Sequence, residues 1–289
     1  IYKTKSRVLF QIFNYGFQIL FSLIIIIPFI NIIAMSFSGY DAIIRGDVKL
    51  WPVDFTTSGY KHILTNISMW KAVLVTIYVT IANTFLTITI SLMAGYALAH
   101  KCMLFKKFFM YYFLVIMYFN GGMIPFYLVV TRMGLYDTLP ALVLPFVMNV
   151  FYIIVFRNSI TQLPQDLVDA AEIDGAGVFL TLYHVVIPLL SPMIAAFSIF
   201  SAVGNWNSWY NTLLFIRNRD LWTLQYKLRE ILVNLEIIQD LQSIFEVHIL
   251  HPENLKMASI IFCILPIILI YPFLQRYFIH GVIVGAVKG

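Results

Sequence analysis

The chain has 289 residues, 61% of them hydrophobic and only 11% charged, with a net charge of +5 and a mean hydropathy of +0.85. A soluble domain carries about 25% charged residues, so this composition excludes a water-soluble globule. The two cysteines, Cys102 and Cys263, lie far apart in the chain, which speaks against a disulfide framework or a metal site. A pI near 9.1 follows from membrane topology and calls for no nucleic acid.

Crossing a hydrocarbon core of about 30 Å takes about 20 helical residues. Six stretches free of Asp, Glu, Lys and Arg reach or approach that length: 9–35, 72–99, 108–130, 139–156, 190–214 and 257–275. The first runs through Leu23–Ile27 to Pro28. It is too long for a signal-peptide core and no small-residue cleavage site follows, so it is expected to remain as a helix kinked at Pro28. The sequence opens at Ile1 without a methionine, and a few residues are expected in front of it.

Orientation follows from the cations. Lys3, Lys5 and Arg7 precede the first span, Lys101, Lys106 and Lys107 fill the link between the second and third, and Arg276 and Lys288 follow the sixth. These segments contain no acid. The long connections 36–71 and 215–256 mix both signs. The positive-inside rule then places both termini in the cytoplasm and the two long connections outside. Connection 157–189 falls inside, although it holds four acids. The spans carry no ionisable Asp, Glu, Lys or Arg, which proton- or ion-coupled carriers and voltage sensors use at membrane depth. A G-x-x-x-x-G-K-[ST] phosphate loop is also missing from the sequence. Active transport by this chain therefore needs an energy source on another subunit.

Residues 164–192 stand out as a short acidic, small-residue stretch between two spans. Pro164 suits a first helical turn, and Asp166 and Asp169 sit where the helix dipole favours negative charge. Asp166, Asp169 and Glu172 recur every three residues on one face, beside the small Ala170 and Ala171. Gly175 permits a tight helix-ending turn. Asp174 is placed to cap a second short helix starting near Ala176, and Pro188 and Pro192 mark entry into the fifth span. Taken alone, such a stretch reads first as an amphipathic loop solvating the inner surface.

The spacing says more. Asp169-Ala170-Ala171-Glu172-Ile173-Asp174-Gly175-Ala176, followed in register by Leu182, Val185, Ile187, Pro188 and Pro192, resembles the E-A-A-x-x-D-G-A coupling motif of ATP-binding cassette (ABC) importer permeases. It departs from that pattern at Asp169 for Glu, Leu182 for Phe, Val185 for Ile and Ile187 for Leu, each keeping charge or apolarity. The tail from Gln275 to Gly289, with Gly281 and Gly285, and the segment Trp206-Asn207-Ser208-Trp209-Tyr210-Asn211 are similar to maltose-type carbohydrate permeases. Gly46-Asp-Val-Lys-Leu-Trp51-Pro52 with Gly59-Tyr60-Lys61 resembles a subgroup serving complex oligosaccharides. The resemblance spans nearly the whole chain.

It implies an all-α membrane protein, a single permease domain over 1–289. Six transmembrane helices and a cytoplasmic helix-turn-helix coupling loop would make up the type I ABC importer permease fold, in a bacterial cell membrane. It also implies a heterodimer with a second homologous permease, two ABC ATPase subunits that bind the ATP and Mg, and an extracellular solute-binding protein. The chain itself would bind no cofactor. Asp169, Ala170, Ala171, Glu172, Asp174, Gly175, Ala176 and Pro188 would couple to the ATPase, driving alternating access through 164–192.

A sugar path needs hydrogen-bonding groups and flat aromatic faces. Asn205, Trp206, Asn207, Trp209, Tyr210 and Asn211 supply both. On a continuous helix Asn207 and Asn211 would align, with Trp206 and Tyr210 as the neighbouring stripe. Membrane-interface anchoring explains the same aromatics. Asn120-Gly121-Gly122 interrupts the third span, either unwinding it beside a cavity or packing helices through glycine. Asn83 and Asn149 read as interhelical hydrogen-bond partners. In the 215–256 connection Arg217, Arg219, Asp220 and Gln225 are candidates for contact with the binding protein, with a solvated lid as the alternative. His248 and His251 lack the further clustered ligands that a metal site needs. The competing functions are an ABC permease for another solute such as an amino acid or polyamine, and a stand-alone channel or secondary carrier. A membrane enzyme finds no catalytic grouping at membrane depth.

Overall fold

A computed structural model describes residues 5–119, 121–245 and 252–286, with side chains described over 8–234 and 253–272 apart from 120, 165, 169, 172 and 271. Among these residues every regular element is helical, as expected where backbone polar groups must be satisfied without water. Helix α1 (Lys5–Ser36) runs through Pro28. After the short α2 (Tyr40–Ile44) and α3 (Ser58–Thr65) comes α4 (Ile67–Ala99), 33 residues long. Helices α5 (Lys106–Tyr118) and α6 (Met123–Arg132) flank the Gly121-Gly122 break, where Gly122 has φ +86°. Two 3₁₀ turns, Leu139–Leu142 and Leu144–Phe146, each with an early proline, lead to α7 (Val150–Thr161). Then follow α8 (Gln165–Ile173), α9 (Val178–Thr181), a π-helical turn (Leu182–Val186), α10 (Ile187–Leu189) and α11 (Ser191–Trp206). Helices α12 (Tyr210–Phe215), α13 (Leu224–Phe245) and α14 (Pro252–Ala286) complete the order.

By length and composition Val8–Ser36, Ile67–Ala99 and Glu253–Ile270 are each able to cross a membrane. Three bent pairs bring the number to six: Lys106–Tyr118 with Met123–Arg132, Leu139–Phe146 with Val150–Thr161 at 45°, and Val178–Leu189 with Ser191–Trp206 at 81°. Residues 139–156 are thus not one continuous α-helix. Pro140 and Pro145 remove donors and favour short turns, and the Asn149 side chain caps α7 by accepting the Tyr152 N–H at 3.2 Å.

The chain divides into two units. One comprises 1–69 with 228–266, the other 70–227 with 267–289. In the first, Asn254 at the start of α14 is 1% exposed and donates to the Ser36 and Ser38 carbonyls at 3.0 and 2.8 Å, closing the C-terminus of α1. Glycine is required at position 59, because a Cβ there would collide with Asn254 Oδ1. Phe37 stacks on both Phe55 and Tyr60, and the Tyr60 hydroxyl meets Ser36 Oγ at 2.8 Å. Burial raises the Tyr60 pKa, partly offset by that hydrogen bond.

Two apolar clusters organise the second unit. Val75, Val79, Val130, Leu142, Phe215 and Trp222 belong to one. The other joins Ile88, Leu92 and Tyr96 of α4, Tyr152, Phe156 and Ile160 of α7, and Leu182, Val186, Leu190 and Phe197 beyond them. Helices α4 and α7 meet closely at Gly95, where a Cβ would lie 2.8 Å from Phe156 Cβ and 3.0 Å from the Ile153 carbonyl oxygen.

Candidate functional site

Residues 164–192 form a hinge-like run of short helices whose breaks come from glycine and proline. At the end of α8, Gly175 takes φ +79°, the Asp174 N–H donates to the Ala170 carbonyl at 3.0 Å and the Ala176 N–H to the Ala171 carbonyl at 2.9 Å. The second bond and the left-handed residue are the marks of a Schellman stop. Asp174 does not cap the next helix. Gly177 holds that position and α9 begins at Val178, two residues later than the sequence placed it.

Beyond α9 the Ile187 N–H reaches back five residues to the Leu182 carbonyl. Pro188 follows immediately and has no N–H to give the His184 carbonyl, so the wider π turn absorbs the lost donor. The next break is at Leu190, ahead of Pro192, and the path turns by 81° into α11.

This segment has two contrasting faces. Asp166, Ala170, Asp174, Gly175 and Pro188 are exposed, and Ala171 and Ala176 half-buried, while the side chains of Asp169 and Glu172 lie outside the described residues. Ile173 is 85% exposed and Phe179 74%, large apolar surfaces of the kind that mark protein contacts. Motif reading missed these two residues; their signal was apolarity inside an acidic stretch. On the other face Leu182 and Val186 are buried against α4 and α7. Phe197 of α11 stacks on Tyr152 of α7 at 4.4 Å and 9°. The exposed face is thus joined through Leu182 and Val186 to the apolar core of this unit, and close-packed interiors transmit strain.

Farther along α4 lies a cavity of about 270 Å³, lined by Asn83, Thr87, Phe146, Asn149, Tyr152, Phe200, Ser201, Gly204, Asn205, Ser208 and Asn211. Asn83 is 3% exposed at the midpoint of α4. Its Nδ2 donates to the Val143 carbonyl at 3.1 Å, and its Oδ1 accepts from Thr87 Oγ1 at 3.1 Å and Asn205 Nδ2 at 3.0 Å. Asn205 also donates to the Ser201 carbonyl at 2.9 Å. Of the predicted path residues, Asn205 and Asn211 line this cavity and Asn120 falls outside the described residues. Asn83 and Asn149, read from the sequence as structural, line it as well. Thr87 and Ser201 gave no sequence signal, being ordinary residues of apolar helices, and Ser208 stood in the quoted 206–211 segment without being singled out.

The expected Trp206–Tyr210 and Asn207–Asn211 stripes do not form. Helix α11 ends at Trp206 and α12 starts only at Tyr210, so the intervening residues leave helical register. Trp206 is buried, and Trp209 lies edge-on to Tyr210. The Tyr210 hydroxyl donates to Met123 Sδ at 2.6 Å. Asn207 donates to the Val203 carbonyl and accepts from Gln225 Nε2 at 3.4 Å.

Arg217, Arg219 and Asp220 are exposed. Asp220 pairs with Lys71 at 2.8 Å, and Arg219 sits over the Trp222 ring at 5.5 Å. Asp137, overlooked in the sequence, anchors this stretch. Its carboxylate accepts the backbone N–H groups of Arg217 and Asn218 at 2.8 and 2.7 Å.

Residues 88–284 match the family of binding-protein-dependent transport system inner membrane components. The chain belongs to that family. The permease is 34% identical over 286 residues to the polygalacturonan/rhamnogalacturonan transport system permease protein YtcP of Bacillus subtilis (strain 168), covering 99% of this chain and 100% of YtcP. With the arabinooligosaccharides transport system permease protein AraQ of Halalkalibacterium halodurans it shares 28% identity over 292 residues, 99% of each chain. A solved chain from a bacterial ABC transporter involved in the import of the acidic polysaccharide alginate superposes with a TM-score of 0.87 at 29% identity, over 96% of this chain and 99% of that one. The permease therefore has the all-helical type I ABC importer fold. It is a multi-pass, non-catalytic transport subunit.

Proposed function

We propose that this permease imports an oligosaccharide delivered by an extracellular binding protein, and forms the translocation path together with a second, homologous permease. Two ATPase subunits, which hold the ATP and Mg, dock on 164–192 at the cytoplasmic side. The binding protein docks on the opposite face, where Arg217, Arg219, Asp220 and Gln225 are carried. Both chain termini lie in the cytoplasm. Closure of the ATPase dimer moves the docked segment, and α11 and its neighbours rock between inward- and outward-open states. The sugar is never covalently attached.

One observation carries the coupling role: exposed Ile173 and Phe179 share a short segment with Leu182 and Val186, which are buried against α4 and α7. The sugar class rests on the polygalacturonan/rhamnogalacturonan and arabinooligosaccharide transport relatives. Gly175→Asp is the test. It forces a β-carbon and a second negative charge into the left-handed turn beside Asp174. In the assembled complex, ATPase stimulation by sugar-loaded binding protein is expected to vanish, while the binding protein's own sugar affinity is unchanged. Wild-type stimulation in that variant removes the docking role from this segment.

A further inference from the structure

We propose that the permease holds an anionic phospholipid beside segment 164–192, with one acyl chain in an apolar groove along α4 and the phosphate on Lys106 and Lys107. This rests on the cytoplasmic placement of 164–192 given above and goes further by assigning that face a membrane lipid as ligand.

The groove has two adjoining parts. A cavity of about 600 Å³ lies between α4 and the run from Leu182 to Ala202, walled by Ile81, Phe85, Leu92, Ile187 and Ile194 among others. A second, of about 350 Å³, lies at the end of α4 between Tyr96, His100 and Met103 on one side and Val178 and Phe179 on the other. Met93 and Leu182 line both, which makes them one groove. Ile81 and Phe85 stand 65% and 67% exposed along it, so it opens sideways.

Its length selects the occupant. From Thr80 to Met93 α4 rises about 20 Å, enough for one leaflet of a hydrocarbon core about 30 Å thick. The larger cavity ends near the midpoint of α4, whereas a transmembrane helix seated there would run the full core. Among the described residues lining the two cavities none is Asp, Glu, Lys or Arg, so the walls favour a hydrocarbon chain methylene by methylene.

Charge supplies the headgroup end. From Met93 to Ala99 α4 rises about another 9 Å, comparable with the headgroup layer. There Lys106 Nζ donates to the Ala99 carbonyl at 3.4 Å, which sets its ammonium at the end of α4. Lys107 beside it is exposed and forms no ion pair among the described residues. Lysines at a membrane surface attract anionic lipid, and the two open α5, whose dipole also favours an anion there. Because Val178 and Leu182 wall the groove, the lipid braces segment 164–192 against α4.

The test uses the complete transporter, with both permeases, the ATPase and the binding protein, in vesicles of equal parts phosphatidylglycerol and phosphatidylcholine. Native mass spectrometry after mild detergent extraction counts the lipids retained. Each lysine at an anionic surface favours binding about fivefold. The wild type should therefore keep one phosphatidylglycerol whose occupancy falls at least about tenfold in Lys106→Gln/Lys107→Gln, with phosphatidylcholine unchanged. Ala97→Trp fills the smaller cavity from an exposed position with both lysines in place, and should remove the same lipid. ATPase stimulated by sugar-loaded binding protein should rise with phosphatidylglycerol content in the wild type and stay flat in both variants. Wild-type retention in Ala97→Trp overturns the site, since the lysines would then hold lipid without the groove. Wild-type retention in the lysine variant overturns it too, because a neutral chain or a neighbouring helix would then fill the groove. An ATPase response to lipid identical in wild type and variants does the same. No stimulation of the wild type at any composition brings down the coupling role of 164–192 instead, and lipid retention, counted without turnover, still decides the groove.

Discussion

Segment 164–192 and the cavity wall both rest on α4, yet their shapes have different origins. In 164–192 the decisive hydrogen bonds span four or five residues, from Asp174 to Ala170 and from Ala176 to Ala171, and the turns fall on Gly175 and Pro188. In the cavity wall the decisive bonds link Asn83 to Asn205, 122 residues away, and to Val143, 60 residues away. Backbone rules shape the first region and tertiary packing shapes the second. Segment 164–192 is thus locally encoded, and the cavity wall is globally assembled.

The largest effect should come where both regions share support. Gly95 lets α7 approach α4, and a Cβ there would lie 3.0 Å from both the Arg157 nitrogen and the Ile153 carbonyl oxygen. Backbone cannot swing aside as a side chain can. Gly95→Leu should cost about 3 kcal/mol, the upper end for overpacking, and prevent recovery of a stable complex. Size-exclusion chromatography of the purified assembly checks this, and a normally assembling variant would show that the close α4–α7 approach at Gly95 is dispensable.

Asn83→Ala probes the global side of the comparison. It strands the Thr87 hydroxyl, the Asn205 amide and the Val143 carbonyl in a buried setting, at a cost of about 1–3 kcal/mol. Thermal unfolding in detergent should show it, and Asn83→Ala combined with Asn205→Ala should cost less than the sum of the two, because they share one bond. Strict additivity would mean that the two asparagines do not work as a pair.

The unequal legibility of the two regions has the same cause. Gly175 and Pro188 announce their roles because few residues take φ +79° and only proline lacks the donor, so the stop of α8 and the turn near α10 were readable from residue types. Placement of the next cap was not: Asp174 and Gly177 both suit an N-cap, and the Schellman bond at Ala176 delays the helix to Val178. Asn205 and Asn211 were readable as polar residues in an apolar span. That Asn205 spends its donors on Asn83 and Ser201, whereas Asn211 does not, depends on where α4 passes. The expected Asn207–Asn211 stripe failed for a related reason. Periodicity carries no mark of a helix that stops at Trp206, and the Asn207 side chain closes that end by bonding Val203 and Gln225.

Gly175→Ala against Gly177→Ala tests the local side with a built-in control. Both glycines have open space around a new Cβ, but only Gly175 has positive φ, and Gly177 sits at φ −70°. Alanine at 175 should therefore cost about 1–2 kcal/mol and speed hydrogen exchange at the end of α8. Alanine at 177 should be neutral or slightly stabilising. Equal exchange in the two variants would mean that contacts elsewhere hold the turn, erasing the contrast with the cavity wall.

The smallest effect lies in the other unit, where local and distant contacts mix. Tyr60 stacks on Phe37 and bonds Ser36, and burial raises its pKa above the ordinary value near 10. Since the folded chain holds this proton more tightly than the unfolded chain, the associated stability is intact below about pH 10 and is lost as pH rises toward the folded pKa. Tyr60→Phe keeps the stacking but removes the ionising group. Its melting temperature should fall less than that of wild type between pH 8 and pH 11, a difference small beside that of Asn83→Ala because the phenol is only partly buried. An identical alkaline loss in both proteins would assign the effect to other tyrosines and leave the α1 terminus held by Asn254 and ring stacking alone.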